Sequence, residues 1–167
     1  MSMHLLSLGK AGLTLCFFGF AGTVLACDGE LLLRCEIDGR DAVLETCLIG
    51  TEVRYQYGPV GAPDLTLMQP VKVVQHTPWP GVGRWIWHVT GFAVGDVVYK
   101  VHLGIDRLSD PPGAQSAGVL VEQDGQTLAD LSCVTETIEG AGDPSPLFAA
   151  KIAVGQIYDR DADRWSE

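Results

Sequence analysis

Past its first 26 residues this chain holds no G-x-S-x-G elbow, no S-x-x-K pair and no serine in a tight strand-to-helix turn. The common arrangements that turn a serine into a nucleophile therefore have no foothold. No two cysteines stand in C-x-x-C spacing and no histidine neighbours a cysteine, which removes zinc knuckles and dithiol redox motifs. Gly81 and Gly83 open no helix, so the phosphate cradle of a glycine loop and a helix N-terminus is missing too. Basic residues are scarce: 11 Lys and Arg stand against 21 Asp and Glu, for a net charge of −10. Such a surface repels phosphate backbones and anionic headgroups, which excludes nucleic acid as a partner and would suit a basic protein.

Other chemistry is equally thin. Carboxylate pairs such as Glu36/Asp41 and Glu45/Glu52 carry little information in a chain with 21 acids. His88 and His102 fall on two strands joined at Gly95-Asp96, and that register points their imidazoles to opposite faces, so they cannot share a metal. The acidic end "DRDADRWSE" has Arg164 where a calcium loop needs glycine. The sequence assigns no catalytic residue, no metal ligand and no cofactor, and the chain reads as a non-enzyme.

What is present begins with a leader. Residues 1–26 read as a secretory signal peptide: His4 and Lys10, then the apolar run "AGLTLCFFGFAG", then small residues at Val24 and Ala26. The apolar run falls short of the roughly 20 residues that a membrane span needs. Cleavage after Ala26 would start the mature chain at Cys27 and deliver it to the periplasm or the medium. Four cysteines then remain, Cys27, Cys35, Cys47 and Cys133, and an even number in an exported chain implies two disulfides.

The rest reads as short strands between glycine turns. "LLLRCEI" and "AVLETCL" flank Asp38-Gly39, "RWIWHVTGFAV" and "DVVYKVHLG" meet at Gly95-Asp96, and "AGVLVEQ" and "QTLADLSCV" meet at Asp124-Gly125. Each is a two-residue hairpin signal, with Gly95 suited to a type II′ turn. "TEVRYQYG" alternates Val53, Tyr55 and Tyr57 against polar residues, and "DLTLM" and "VKVV", bracketed by prolines, suit edge strands. One helix is predicted, "SPLFAAKIA", with Ser145 as N-cap and Pro146 in the first turn. The expectation is an all-β, mainly antiparallel domain over residues 27–153. It is a single-domain sandwich or barrel of about eight strands with a short C-terminal helix. Residues 154–167 are expected as a loosely ordered acidic tail.

The hairpins constrain the cysteines. A two-residue turn at Asp38-Gly39 sets Cys35 opposite Ala42 and Cys47 opposite Glu30, with the two sulfurs on opposite sheet faces. Cys27 lies at the same end as Cys47, and Cys133 shares its face with Leu120, Ala129 and Leu131, an inward position. These placements favour Cys27–Cys47 and Cys35–Cys133. The early cysteine, "LLLRC", "LETC", "VRYQYG" and the late hairpin "AGVLVEQDGQTLADLSC" together resemble a family of small exported bacterial proteins, across most of residues 27–133. Members carry their early cysteine inside ordinary secreted chains, so the resemblance implies a disulfide and not a lipid at Cys27. It carries over no activity, ligand or catalytic residue. "VLAC" also has the look of a lipobox, which keeps a lipid on Cys27, and with it a membrane or envelope role, as the alternative.

Aromatic residues remain. Trp85 and Trp87 share one strand face, where period-two apolar residues commonly fill a core. Trp79, framed by Pro78 and Pro80 in a loop, is the best candidate for an exposed contact, with Arg84 beside it in sequence, because Trp and Arg commonly anchor interfaces. The functional expectation is a small disulfide-stabilised protein-binding module, an inhibitor or immunity-type partner of another exported or envelope protein. An envelope-associated structural or assembly lipoprotein is the alternative.

Overall fold

The computed structural model describes residues 27–167; the expected leader, 1–26, lies outside the described residues. β1 (Glu30–Glu36), β2 (Val43–Ile49), β3 (Glu52–Gly58) and β4 (Leu65–Pro70) form a meander. A second follows as β5 (Gln75–Thr77), β6 (Trp85–Val94), β7 (Val97–Asp106), β8 (Ala114–Gln123) and β9 (Gln126–Ser132). The two-residue β10 (Glu139–Gly140) returns to pair with β1, so each sheet has five strands, all pairings antiparallel. Alternating side chains put Leu33, Cys35, Leu44, Val53 and Tyr55 on the inner face of the first sheet. They meet Phe92, Val101, Leu103 and Val119 of the second in one apolar cluster. The Tyr55 ring sits 5.3 Å from Phe92 and 5.5 Å from Tyr99, tilted in both cases. The result is a β-sandwich, not a closed barrel.

Two hairpins keep the expected register. Val94 pairs with Val97, and Gly95 has φ 62° while Asp96 does not turn positive, as a type II′ turn requires. The first hairpin differs. Ile37 bonds back to Ala42, leaving a four-residue loop in which only Gly39 has positive φ. Cys35 therefore faces Leu44, not Ala42. A slip of two residues preserves sheet faces. A bulge between Leu31 and Leu33 then sets Cys47 opposite Leu31 instead of Glu30 and leaves both Leu32 and Leu33 buried. A second bulge, between Val121 and Glu122, pairs Val121 with Ala129 and moves Leu120 opposite Asp130. Leu120 thus leaves the face it was expected to share with Cys133.

Both disulfides form as the sheet faces suggest: Cys27–Cys47 and Cys35–Cys133, with Cα–Cα distances of 5.6 and 5.7 Å. The second fastens the start of the chain to its late part, where Ile37 also bridges Cys133 and Val134 donates to the Glu36 carbonyl. β4 is an edge strand, as its prolines suggest. "VKVV" is not a strand. It is a tight turn whose Val71 and Val74 are buried and whose remaining valine, Val73, is exposed.

The helix, α1 (Pro146–Ala153), starts at Ser145 as predicted, although the serine hydroxyl makes no capping hydrogen bond. The tail is where expectation and structure part most. Residues 157–166 form a hairpin of β11 (Ile157–Asp159) and β12 (Arg164–Ser166). Trp165 holds it down: its indole N–H donates to the His76 carbonyl at 2.6 Å, and its ring stacks near Phe148 and Tyr158 at 5.2 and 5.1 Å. A single aromatic anchor outweighs the acidic composition that suggested disorder. Trp165→Ala is expected to release the hairpin at a cost of about 1–3 kcal/mol, since this tryptophan is only half-buried. Limited proteolysis should then cut within residues 157–166 while the sandwich stays intact.

Candidate functional site

The long strands β6 and β7 carry two loops to one end of the second sheet, residues 78–84 and 107–113. Backbone and side chains tie the loops together. Arg107 donates to the Gly83 carbonyl at 3.1 Å and lies 5.7 Å over the Trp79 ring, and its amide donates to the Arg84 carbonyl. Trp79 closes its own loop with an indole N–H to Val82 carbonyl bond of 2.8 Å. The Arg84 guanidinium forks onto the Asp106 carboxylate, with Nε 2.7 Å from Oδ1. Asp106 is buried at 5 % exposure, and the Arg84 hydrogen bonds, aided by the Leu108 amide, hold its carboxyl below the usual carboxylate range. What this scaffold presents outward is Val82 and Leu108, 70 % and 73 % exposed.

The two residues singled out as contacts are thus brought to the same end. Trp79 is half-buried and locally bonded, so it shapes the loop and shares the surface with others, while Arg84 is exposed. Val82, Arg107 and Leu108 join them, and no periodicity marked these residues. Their signal was positional: each lies in a turn-rich stretch beside a long strand. Arg84, Arg107 and Arg160, which donates to the Pro80 carbonyl at 3.2 Å, gather here, and Arg84 and Asp106 cancel as an ion pair.

Trp85 and Trp87 do not fill the core. They stand on the outer face of the second sheet, Trp85 40 % exposed and Trp87 half-buried, while their neighbours Ile86, His88, Thr90 and Phe92 point inward. Val89 pairs with His102 and His88 with Leu103, which separates the two imidazoles as the register predicts.

His88 instead meets His76 in the interior, ring centroids 5.8 Å apart. His76 is 4 % exposed and neither ring nitrogen has a hydrogen-bond partner. Burial above all, then the neighbouring His88 and Lys151, lowers its pKa to about 3, with the Val89 backbone opposing in part. Lys151, on α1, is 1 % exposed and donates to the Val71 carbonyl at 2.9 Å and to Gln156 Oε1 at 3.1 Å. Its ammonium lies 5.3 Å from the Trp165 ring, and burial lowers its pKa to about 8. This cluster is closed to solvent and holds no carboxylate against His76. It braces α1, the 71–74 turn and the tail hairpin together.

On the outer face of the first sheet, Glu45 lies between Arg34 at 3.2 Å and Arg54 at 3.0 Å, and Arg54 also reaches Asp28 at 3.1 Å. Glu45 is therefore spoken for by ion pairs and not paired with Glu52 for acid–base work. Among the described residues no three His, Cys, Asp or Glu side chains gather as a metal would need, and no helix is long and apolar enough to cross a membrane. Comparison with protein-family models, with curated proteins and with solved structures yields no match, so the site stands on its own geometry.

Proposed function

We propose that the protein is an exported binding module, not an enzyme, and that it engages another protein through the loop end of its second sheet. One observation carries this reading. Two large aliphatic side chains, Val82 and Leu108, are held out on a cross-braced scaffold of Trp79, Arg84 and Arg107. Trp and Arg, the residues that brace these tips, are the types enriched at interface anchors, and a pre-ordered surface loses little order on binding. The exposed tips call for an apolar patch on the partner, and the Arg84–Asp106 pair adds no net charge beside it.

The two disulfides fit an oxidising compartment. Export to the periplasm or the medium by way of residues 1–26 completes the proposal. The lipid-anchored alternative loses ground, because a Cys27 sulfur bonded to Cys47 cannot also carry a thioether-linked lipid.

Immobilised protein, offered solubilised envelope and medium from the producing cells, is expected to retain one partner near equimolar ratio. Val82→Asp with Leu108→Asp, both at exposed positions where substitution leaves folding intact, should abolish that retention. Recovery of nothing above background, or equal recovery by the double variant, would defeat the reading.

A further inference from the structure

We propose that the outer face of the second sheet carries a binding site for a neutral glycan, in which a saccharide ring stacks on Trp85 and Trp87. A furrow of about 360 Å3 runs across β6, β7 and β8, lined by Trp85, Trp87, Val89, His102, Gly104 and Ser116. Its volume lies within the range of small-molecule sites. Side chains two apart on a strand project to the same side, so the two indoles form one aromatic wall. Trp87 pairs with Gly104, and Gly104 with Ser116, so the floor beside that wall is almost bare of side chains. A side chain at Gly104 would be crowded: its Cβ would come within 3.1 Å of Ser116 Oγ and 3.4 Å of the Trp85 ring, which leans over this glycine.

The lining selects a chemical class. It offers two indoles, a hydroxyl and an imidazole, and its one charged neighbour, Arg84 over the Trp85 ring, is already paired with Asp106; burial lowers the His102 pKa, with Asp130 opposing only in part. Trp79 and Trp165 commit their indole N–H groups to the Val82 and His76 carbonyls, whereas those of Trp85 and Trp87 form no such bond among the described residues. Anions meet a chain of net charge −10 and the Asp130 carboxylate. Cations meet Arg84, whose guanidinium already lies 6.0 Å over the Trp85 ring. What fits is an uncharged ring with an apolar face for the indoles and a rim of hydroxyls for the N–H groups, Ser116 and His102, which is a pyranose. An aliphatic side chain would leave those polar groups unanswered.

The test is independent of the loop-end reading, because Val82→Asp and Leu108→Asp leave the furrow intact. Cellohexaose, chitohexaose and maltohexaose, with an oligogalacturonate of equal length as the charged control, are titrated while tryptophan fluorescence and amide NMR shifts are followed. At least one neutral hexaose should saturate the protein and shift amides of β6, β7 and β8. Trp87→Ala should weaken it at least about tenfold, the scale expected for a lost aromatic anchor. Ser116→Arg, which fills the furrow from an exposed strand position, should do the same with the remaining spectrum unchanged. The proposal is overturned if no neutral hexaose saturates below about 10 mM, a bound set by affinity too weak to matter. It is overturned equally if only the oligogalacturonate binds, or if Ser116→Arg binds as the native protein does.

Discussion

Replacing Cys35 and Cys133 together by alanine is expected to lower the unfolding free energy by about 4–5 kcal/mol, against about 3 kcal/mol for the Cys27/Cys47 pair. The difference comes from the unfolded chain. Cys35–Cys133 spans 98 residues and Cys27–Cys47 spans 20, and a longer closed loop removes more conformational freedom from the denatured ensemble. Native contacts add to the contrast. Cys35 and Cys133 sit in the core cluster, where the bond joins β1 of one sheet to the residue just after β9 of the other, while Cys27 staples the first described residue to the outer side of β2. Against a typical stability of about 5–15 kcal/mol, loss of the longer bridge leaves a marginal fold. Urea unfolding of the two double variants, followed by tryptophan fluorescence, reads this directly. Equal losses, or a larger loss at Cys27/Cys47, would contradict the assigned role of the long bridge.

Acid is the second strong lever. His76 and His88 titrate at about 6.5 in an unfolded chain, and burial lowers both in the folded one, His76 to about 3. Below pH 6.5 the unfolded state therefore binds more protons, and stability falls as pH falls. For His76 the loss is about 1.4 kcal/mol per pH unit, or about 2 kcal/mol by pH 5, and continues until the folded imidazole itself protonates near pH 3. The groups facing His76 sharpen this: His88 on β6 and Lys151 on α1 are cationic or become so, and Asp143 offsets His88 alone. Lys151 acts in a different window. Its folded pKa of about 8 lies below its ordinary 10.5, so its destabilising burial is fully present below pH 8 and is relieved as pH rises toward 10.5. His76→Phe keeps a ring in place and removes a titrating group whose nitrogens have no partners. The variant should match or exceed the native protein at pH 5 and show a flatter dependence of stability on pH between 4 and 7. An unchanged slope would mean that His76 is not the group that titrates.

The sandwich was legible because its strands are bounded by glycine turns and alternate cleanly, and the disulfides because register sorts cysteines by sheet face. The details that escaped were those decided by backbone conformation and by distant packing. Asp-Gly marks two of the hairpins. At Asp124-Gly125 both residues adopt positive φ, 50° and 76°, and the chain reverses in two residues; at Asp38-Gly39 only the glycine does, and the loop runs to four. The dipeptide is identical, so only the surrounding strands decide. Trp85 and Trp87 obey period two, yet period two does not say which face is inward. His88, Thr90 and Phe92 hold the inner face because Phe92 meets Tyr55 of the other sheet and His88 packs beside His76 of the neighbouring β5. The tail was misjudged on composition, since Trp165 finds its partners 89 residues earlier in the chain, at His76. The loop end was half legible: Pro-framed Trp79 pointed to it, but Leu108 and Val82 join it only because β6 and β7 run side by side to equal length.

The claim that this end is a partner surface is tested most directly by photo-cross-linking in the producing cells. A benzophenone side chain placed at Val82 lies at the tip, and one placed at Met68, 46 % exposed on the first sheet, serves as the control. The account predicts one discrete cross-linked protein from position 82, absent from position 68 and lost when Leu108→Asp replaces the neighbouring apolar tip. No product from position 82, or the same product from both positions, would contradict it.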